Sequence, residues 1–148
     1  MTDMASKGWR RASTMNFALP LDAAVVGASE LALVAQSQPV AFTVQNGAWR
    51  AVAVLSPGDG RNRFVDTSTG RWRGAYVPAI LRAYPFMLRR QNNRKELALW
   101  PTAQSEPLAE GVEPFFVDGA PTEAVKRTTA FLLEVHKDIE SVEDPLDL

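Results

Sequence analysis

The chain has 148 residues with no cysteine, one histidine, 46% apolar and 22% charged residues, and a net charge of −1. This length suits a single globular domain, able to bury about 68–70% of its unfolded surface. Without cysteine there is no disulfide framework, thiolate zinc site, iron–sulfur cluster or thiol nucleophile, and His136 alone builds no His-rich metal cage.

Lys7, Arg10 and Arg11 open the chain like the basic start of a signal peptide, but Ser13-Thr-Met-Asn-Phe17 is too polar for the apolar region that would follow. Residues 1–15 are therefore expected as a flexible tail, residues 16–142 as one domain and residues 143–148 as an acidic tail. Leu21 to Gln36 is rich in Ala and Leu, with Asp22 as its cap, and is expected as a helix that Pro39 ends. Val40 to Val44 reads as a strand and Trp49 to Leu55 as its partner, on either side of Asn46-Gly47, the strongest short-range hairpin signal.

Ser56 to Gly60 is a loop by composition. A short strand is expected over Asn62 to Asp66, closed by the turn Thr67 to Gly70, and a short helix over Ala79 to Tyr84 between Pro78 and Pro85. Phe86 to Arg90 and Leu97 to Trp100 read as a second hairpin across Gln91-Asn-Asn-Arg94. Residues 101–114 read as a linker, and Phe115 to Val117 as a brief apolar touch-down. From Pro121 onwards, Ala124, Thr128, Phe131, Leu132, Val135, Ile139 and Val142 recur at helical spacing and form one stripe, which predicts a carboxyl-terminal amphipathic helix. Hairpins without βαβ crossovers give an antiparallel α+β fold, with an N-terminal helix, a short central helix and a C-terminal helix.

The charge is unevenly placed. Residues 1–100 carry 13 Lys and Arg against 6 Asp and Glu, and residues 101–148 carry 3 against 11, so the two stretches hold +7 and −8. Either the first stretch is a nucleic-acid surface followed by an acidic tail, or the two stretches face each other in the fold. No apolar run reaches the ~18 residues that span a bilayer, and a cytoplasmic chain is expected.

A Ser-His-Asp triad would have to use His136, which sits at the edge of its helix's apolar stripe. His136 and Glu140 share one helical side, but two ligands make a weak metal site. Gly58-Asp-Gly60 lacks the further glycine or the Gly-Lys-Ser/Thr of a phosphate loop. Asp59 and Asp66 are the remaining pair for carboxylate chemistry. No catalytic residue, metal ligand or cofactor is assigned. The densest polar-aromatic stretch is Arg71-Trp-Arg-Gly-Ala-Tyr-Val-Pro78 with Arg82 and Tyr84-Pro-Phe86. Guanidinium forks recognise carboxylate or phosphate, and Trp or Tyr stack on sugars, bases or other guanidinium groups. Asp66, Arg71, Trp72, Arg73, Tyr76, Arg82 and Tyr84 are thus candidate ligand- or partner-binding residues, or an internally paired scaffold. Arg89, Arg90, Arg94 and Lys95 read as a solvated hairpin end.

The same residues carry a family resemblance. Asn62-Arg-Phe-Val-Asp66, Arg71 to Pro78, Arg82 and Tyr84-Pro-Phe86 resemble the central signature of the bacterial SapC family, with flanking agreement at Pro39-Val40, Phe42, Ala53-Val-Leu55, Pro121-Thr122 and Phe131-Leu132. The resemblance spans about Phe17 to Leu133. It implies kinship with a protein associated with a bacterial surface layer, without an established reaction and with no catalytic residue to transfer. Relatives usually continue beyond the equivalent of Leu148 and carry a Cys-Ile-Asp stretch where this chain has Leu99-Trp100-Pro101, so a short variant is expected. Three functions follow as expectations. The first is a binding module that contacts a protein partner or an acidic or carbohydrate-like ligand through Arg71–Phe86. The second is an enzyme of sugar or surface-polymer metabolism that uses Asp59 or Asp66. The third is a nucleic-acid binder that uses the basic stretch.

Overall fold

A computed structural model describes residues 4–147. In chain order its elements are β1 (Lys7–Trp9), β2 (Ala23–Val26), α1 (Leu31–Ala35), β3 (Val40–Gln45), β4 (Ala48–Val54), α2 (Ala79–Arg82), β5 (Phe86–Gln91) and β6 (Arg94–Leu99). The two-residue strands β7 (Glu106–Pro107), β8 (Glu113–Pro114), β9 (Phe116–Val117) and β10 (Ala120–Pro121) follow, and then the long helix α3 (Glu123–Glu140). Strand pairing is antiparallel throughout the described residues, so the fold is α+β. The chain divides into two compact units, Met1–Ser13 with Ala83–Leu133 and Thr14–Arg82 with Glu134–Leu148.

In the first unit β1 lies between β7 and β8, with Gly8 opposite both Glu106 and Pro114. Part of the expected tail is therefore a central strand, and part of the expected linker supplies its neighbours. The reason is Trp9, which is buried, stacks on Phe115 at 5.3 Å and meets Phe86 edge-on at 4.8 Å. Burying an indole among two phenyl rings outweighs the entropy of ordering so short a strand. Arg10 pairs with Glu106 at 3.3 Å and Arg11 with Glu113 at 2.6 Å, on either side of that strand. The second hairpin forms as expected, from β5 and β6 around Asn92 and Asn93, whose φ values of 49° and 62° suit a tight turn. Thr122 Oγ1 accepts from the Val125 amide at 3.4 Å at the start of α3.

In the second unit the sheet order is β2-β4-β3. The Asn46-Gly47 hairpin joins β3 to β4, and Ala51, Val52 and Ala53 bury the centre of β4. β3 is an outer strand with Phe42 and Val44 exposed. Ala79, Val135 and Ile139 form a core cluster against which Val25 and Ile80 pack, so the last turns of α3 serve this unit.

The expected helix over Leu21 to Gln36 is a strand, a 3-10 turn at Ala28–Glu30 and the short α1. Ala23 to Val26 pairs residue for residue with Val54 to Ala51, and sheet burial overrides the alanine-rich helical pattern. Gly27 follows at a close approach: a Cβ there would overlap the Asp138 carboxyl group. Asp22 caps no helix; instead it accepts from Ser56 Oγ and from the Gly60 amide, and so shapes the loop after β4. The expected strand over Asn62 to Asp66 reduces to one bridge, Val65 to Trp72. Asn62 is diverted because its amide group bonds the Ala18 carbonyl and the Phe64 amide. The carboxyl end contains a 3-10 turn, Pro145–Asp147.

The fold also redistributes the charge. By sequence the first unit holds nine Lys and Arg against seven Asp and Glu, and the second holds seven against ten. The +7 and −8 of the linear chain thus become +2 and −3. No helix among the described residues is long and apolar enough to cross a membrane.

Candidate functional site

The arginine-rich stretch lies on a loop of the second unit that folds back on itself. Asp66 O accepts from the Gly70 amide at 2.7 Å, Asp66 N donates to Arg71 O at 2.8 Å and Arg73 N donates to Phe64 O at 2.7 Å. The Asp66 side chain nucleates the turn. It accepts from Ser68 Oγ at 2.6 Å, Ser68 N at 2.8 Å and Thr69 N at 3.2 Å, and Arg73 pairs with it at 3.4 Å. These donors, led by the Ser68 hydroxyl, hold the Asp66 carboxyl down to about 2.

Trp72 faces inward from the loop, stacked on Phe64 at 5.7 Å. Its Nε1 donates to Tyr76 O at 3.0 Å, and Gln38 Nε2 donates to the same carbonyl at 2.7 Å. Gly74 sits inside this clasp, where a Cβ would lie 2.7 Å from Trp72 Nε1. No other residue type fits there without moving the indole. Gln38 is buried, and its Oε1 has no hydrogen-bond partner.

Tyr76 leads to a buried acid. Its hydroxyl donates to Glu30 Oε1 at 2.6 Å, which also accepts from Ala79 N at 2.7 Å, while Glu30 Oε2 accepts from Gly27 N at 2.8 Å. Glu30 is only 6% exposed, and these three donors replace the water it has lost. Burial and the bond to Glu30 push the Tyr76 phenol up to about 12, against an opposing effect of Arg82. Arg82 Nη2 donates to the Tyr76 hydroxyl at 3.2 Å, with its guanidinium carbon 5.5 Å from the ring centroid. Asp138 on α3 anchors the far side of this turn by accepting from Ser29 N at 3.1 Å and from Ser29 Oγ at 2.5 Å.

Of the candidate residues, Asp66, Arg71, Trp72, Arg73, Tyr76 and Arg82 share one unit, while Tyr84 belongs to the other and packs edge-on to Trp100 at 5.6 Å. Arg71 and Arg73 are exposed at the loop surface, and the Arg71 guanidinium has no ion-pair partner among the described residues. Asp59 is engaged in a turn of its own: Arg63 pairs with it, Arg61 N bonds it, and its carboxyl lies below the ordinary range. His136 is half-buried on α3, and the described residues contain no group of three His, Cys, Asp or Glu that could hold a metal ion. Arg89, Arg90 and Arg94 are exposed around the β5–β6 turn.

Glu30 and Gln38 escape the sequence reading, although they organise the loop. Glu30 carried half a signal, because an acid three residues after Gly27 stands where the acidic member of a capping box would, although Gly27 has no side chain to complete one. Gln38 carried none. Compared with known proteins, the chain matches a family model described as SapC over residues 2–146. No curated protein and no solved structure matches it.

Proposed function

The chain belongs to the SapC family, and we propose that it is a small binding module whose arginine loop, around Arg71 and Arg73, takes an acidic or carbohydrate-like ligand, or an acidic patch on a protein partner. One observation carries this reading: Asp66, Trp72 and Tyr76 are used inward to fix the loop, which leaves the Arg71 and Arg73 guanidiniums at its surface. A preordered loop loses little entropy when it binds, and guanidinium forks match planar anionic groups. Two lowered carboxyls favour binding over carboxylate acid catalysis, which needs one carboxyl raised towards neutrality.

The experiment compares wild type with Arg71→Ala and Arg73→Ala, each checked for folding by circular dichroism. Titration calorimetry uses polygalacturonate, a neutral dextran and duplex DNA as probes, and co-purification with mass spectrometry screens protein partners. The expected result is retention of an anionic polysaccharide or a specific partner by wild type, weakened about tenfold in each variant. Folded variants that bind as wild type does overturn the reading. Binding to DNA alone, with steep salt dependence, favours the nucleic-acid alternative instead.

A further inference from the structure

The first unit contains a cavity of about 660 Å³. Phe86 and Phe115, both buried, line it together with Leu97 and Leu99 of β6 and with Val125, Lys126, Thr129, Ala130 and Leu133 on one side of α3. Leu133, on that side of α3, is 44% exposed, so the helix carries apolar surface that the core does not cover.

The chemistry of the lining selects an occupant. At ~30 Å³ per non-hydrogen atom, the volume a water molecule takes in the liquid, the space holds about 20 such atoms. The one hydroxyl among the lining side chains, that of Thr129, already donates to Val125 O at 2.8 Å. Apart from this hydroxyl and one cation the lining is apolar, which matches an amphiphile with a single anionic end. Lys126 is the only charged lining residue, and its present partner Glu123, at 3.3 Å, is an exposed helix neighbour that holds it weakly.

We propose that this cavity binds one long-chain fatty acid, with its hydrocarbon chain against Phe86 and Phe115 and its carboxylate at Lys126. This site is lined entirely from the first unit and does not depend on the function proposed for the arginine loop.

The test is titration calorimetry of the full chain with palmitate and with hexadecanol, each delivered from a cyclodextrin carrier that keeps it monomeric. Two variants on the outer side of α3 are compared with wild type, Lys126→Glu to reverse the charge and Ala130→Trp to fill the space. Wild type is expected to bind both ligands at one site. Lys126→Glu is expected to weaken palmitate about tenfold and leave hexadecanol unchanged; Ala130→Trp, folded by circular dichroism, is expected to lose both. The proposal is overturned if wild type binds neither ligand, or if Lys126→Glu treats the two alike. Binding only to phosphatidylglycerol vesicles, or a concentration-dependent dimer that palmitate does not dissociate, also overturns it by naming a different occupant.

Discussion

Around β5 and β6, Trp9, Phe86 and Phe115 meet ring against ring, an interior held by contacts with little directional demand. Around β4, the arginine loop is held instead by Glu30, Gln38 and Tyr76, through bonds whose donors and acceptors must match. The two kinds of assembly fail differently. A ring cluster that loses one member keeps its other contacts and is left with a void. A polar clasp that loses one member leaves buried donors without partners, so the penalty exceeds the value of the bond removed.

The sharpest test of the contrast is Trp9→Ala. Removing a buried indole from two ring contacts is expected to destabilise the chain by about 3–5 kcal/mol in urea denaturation. A change below about 1 kcal/mol would mean that β1 contributes little to stability.

Glu30→Ala comes next, with a loss of about 2–4 kcal/mol expected, because two backbone amides and a phenol lose their acceptor together. Glu30→Gln keeps one acceptor oxygen and is expected to cost less. The phenol gives a second readout at 295 nm. In wild type Tyr76 titrates near 12, raised by burial and by Glu30. In Glu30→Ala its midpoint moves down but stays above the ordinary value of ~10, since burial persists. An unmoved midpoint would remove Glu30 from the clasp. For a raised tyrosine, the associated stability is complete below the unfolded value and lost as pH rises from ~10 through the folded one.

The smallest effect is expected at Asp66, and its sign is opposite. Its folded carboxyl lies at about 2. A lowered acid contributes stability that is present above the unfolded value of ~3.9 and lost as pH falls through the folded one. Wild type is therefore expected to lose thermal stability between about pH 4 and pH 2, and Asp66→Asn to show a shallower loss over that window. Parallel pH profiles for the two would show that the Ser68 and Thr69 bonds do not favour the charged form.

What the sequence disclosed follows the range of the forces involved. α3 and the two hairpins were legible because periodicity and Asn-Gly or Asn-Asn turns are local. β2 was not, since Ala23-Ala-Val-Val26 is compatible with a helix until β4 pairs with it. β1 was hidden for the same reason: three residues carry no period, and Trp9 becomes structural only beside Phe86 and Phe115. At the candidate site the notable side chains were visible, but their roles were not. Trp72 and Tyr76 point inward because of Gln38 and Glu30, which lie 38 and 46 residues from Tyr76.

The outer position of β3 bears on how the chain behaves in concentrated solution. Val40-Ala-Phe-Thr-Val-Gln45 has no charge and no proline, it forms the rim of its sheet, and Phe42 and Val44 are exposed there. Such a rim offers unused backbone groups to the same rim of another molecule, and natural proteins commonly guard it with lysine or proline. The colloidal limit of this protein is therefore expected to be set by β3, and Thr43→Lys should raise the concentration at which light scattering first appears.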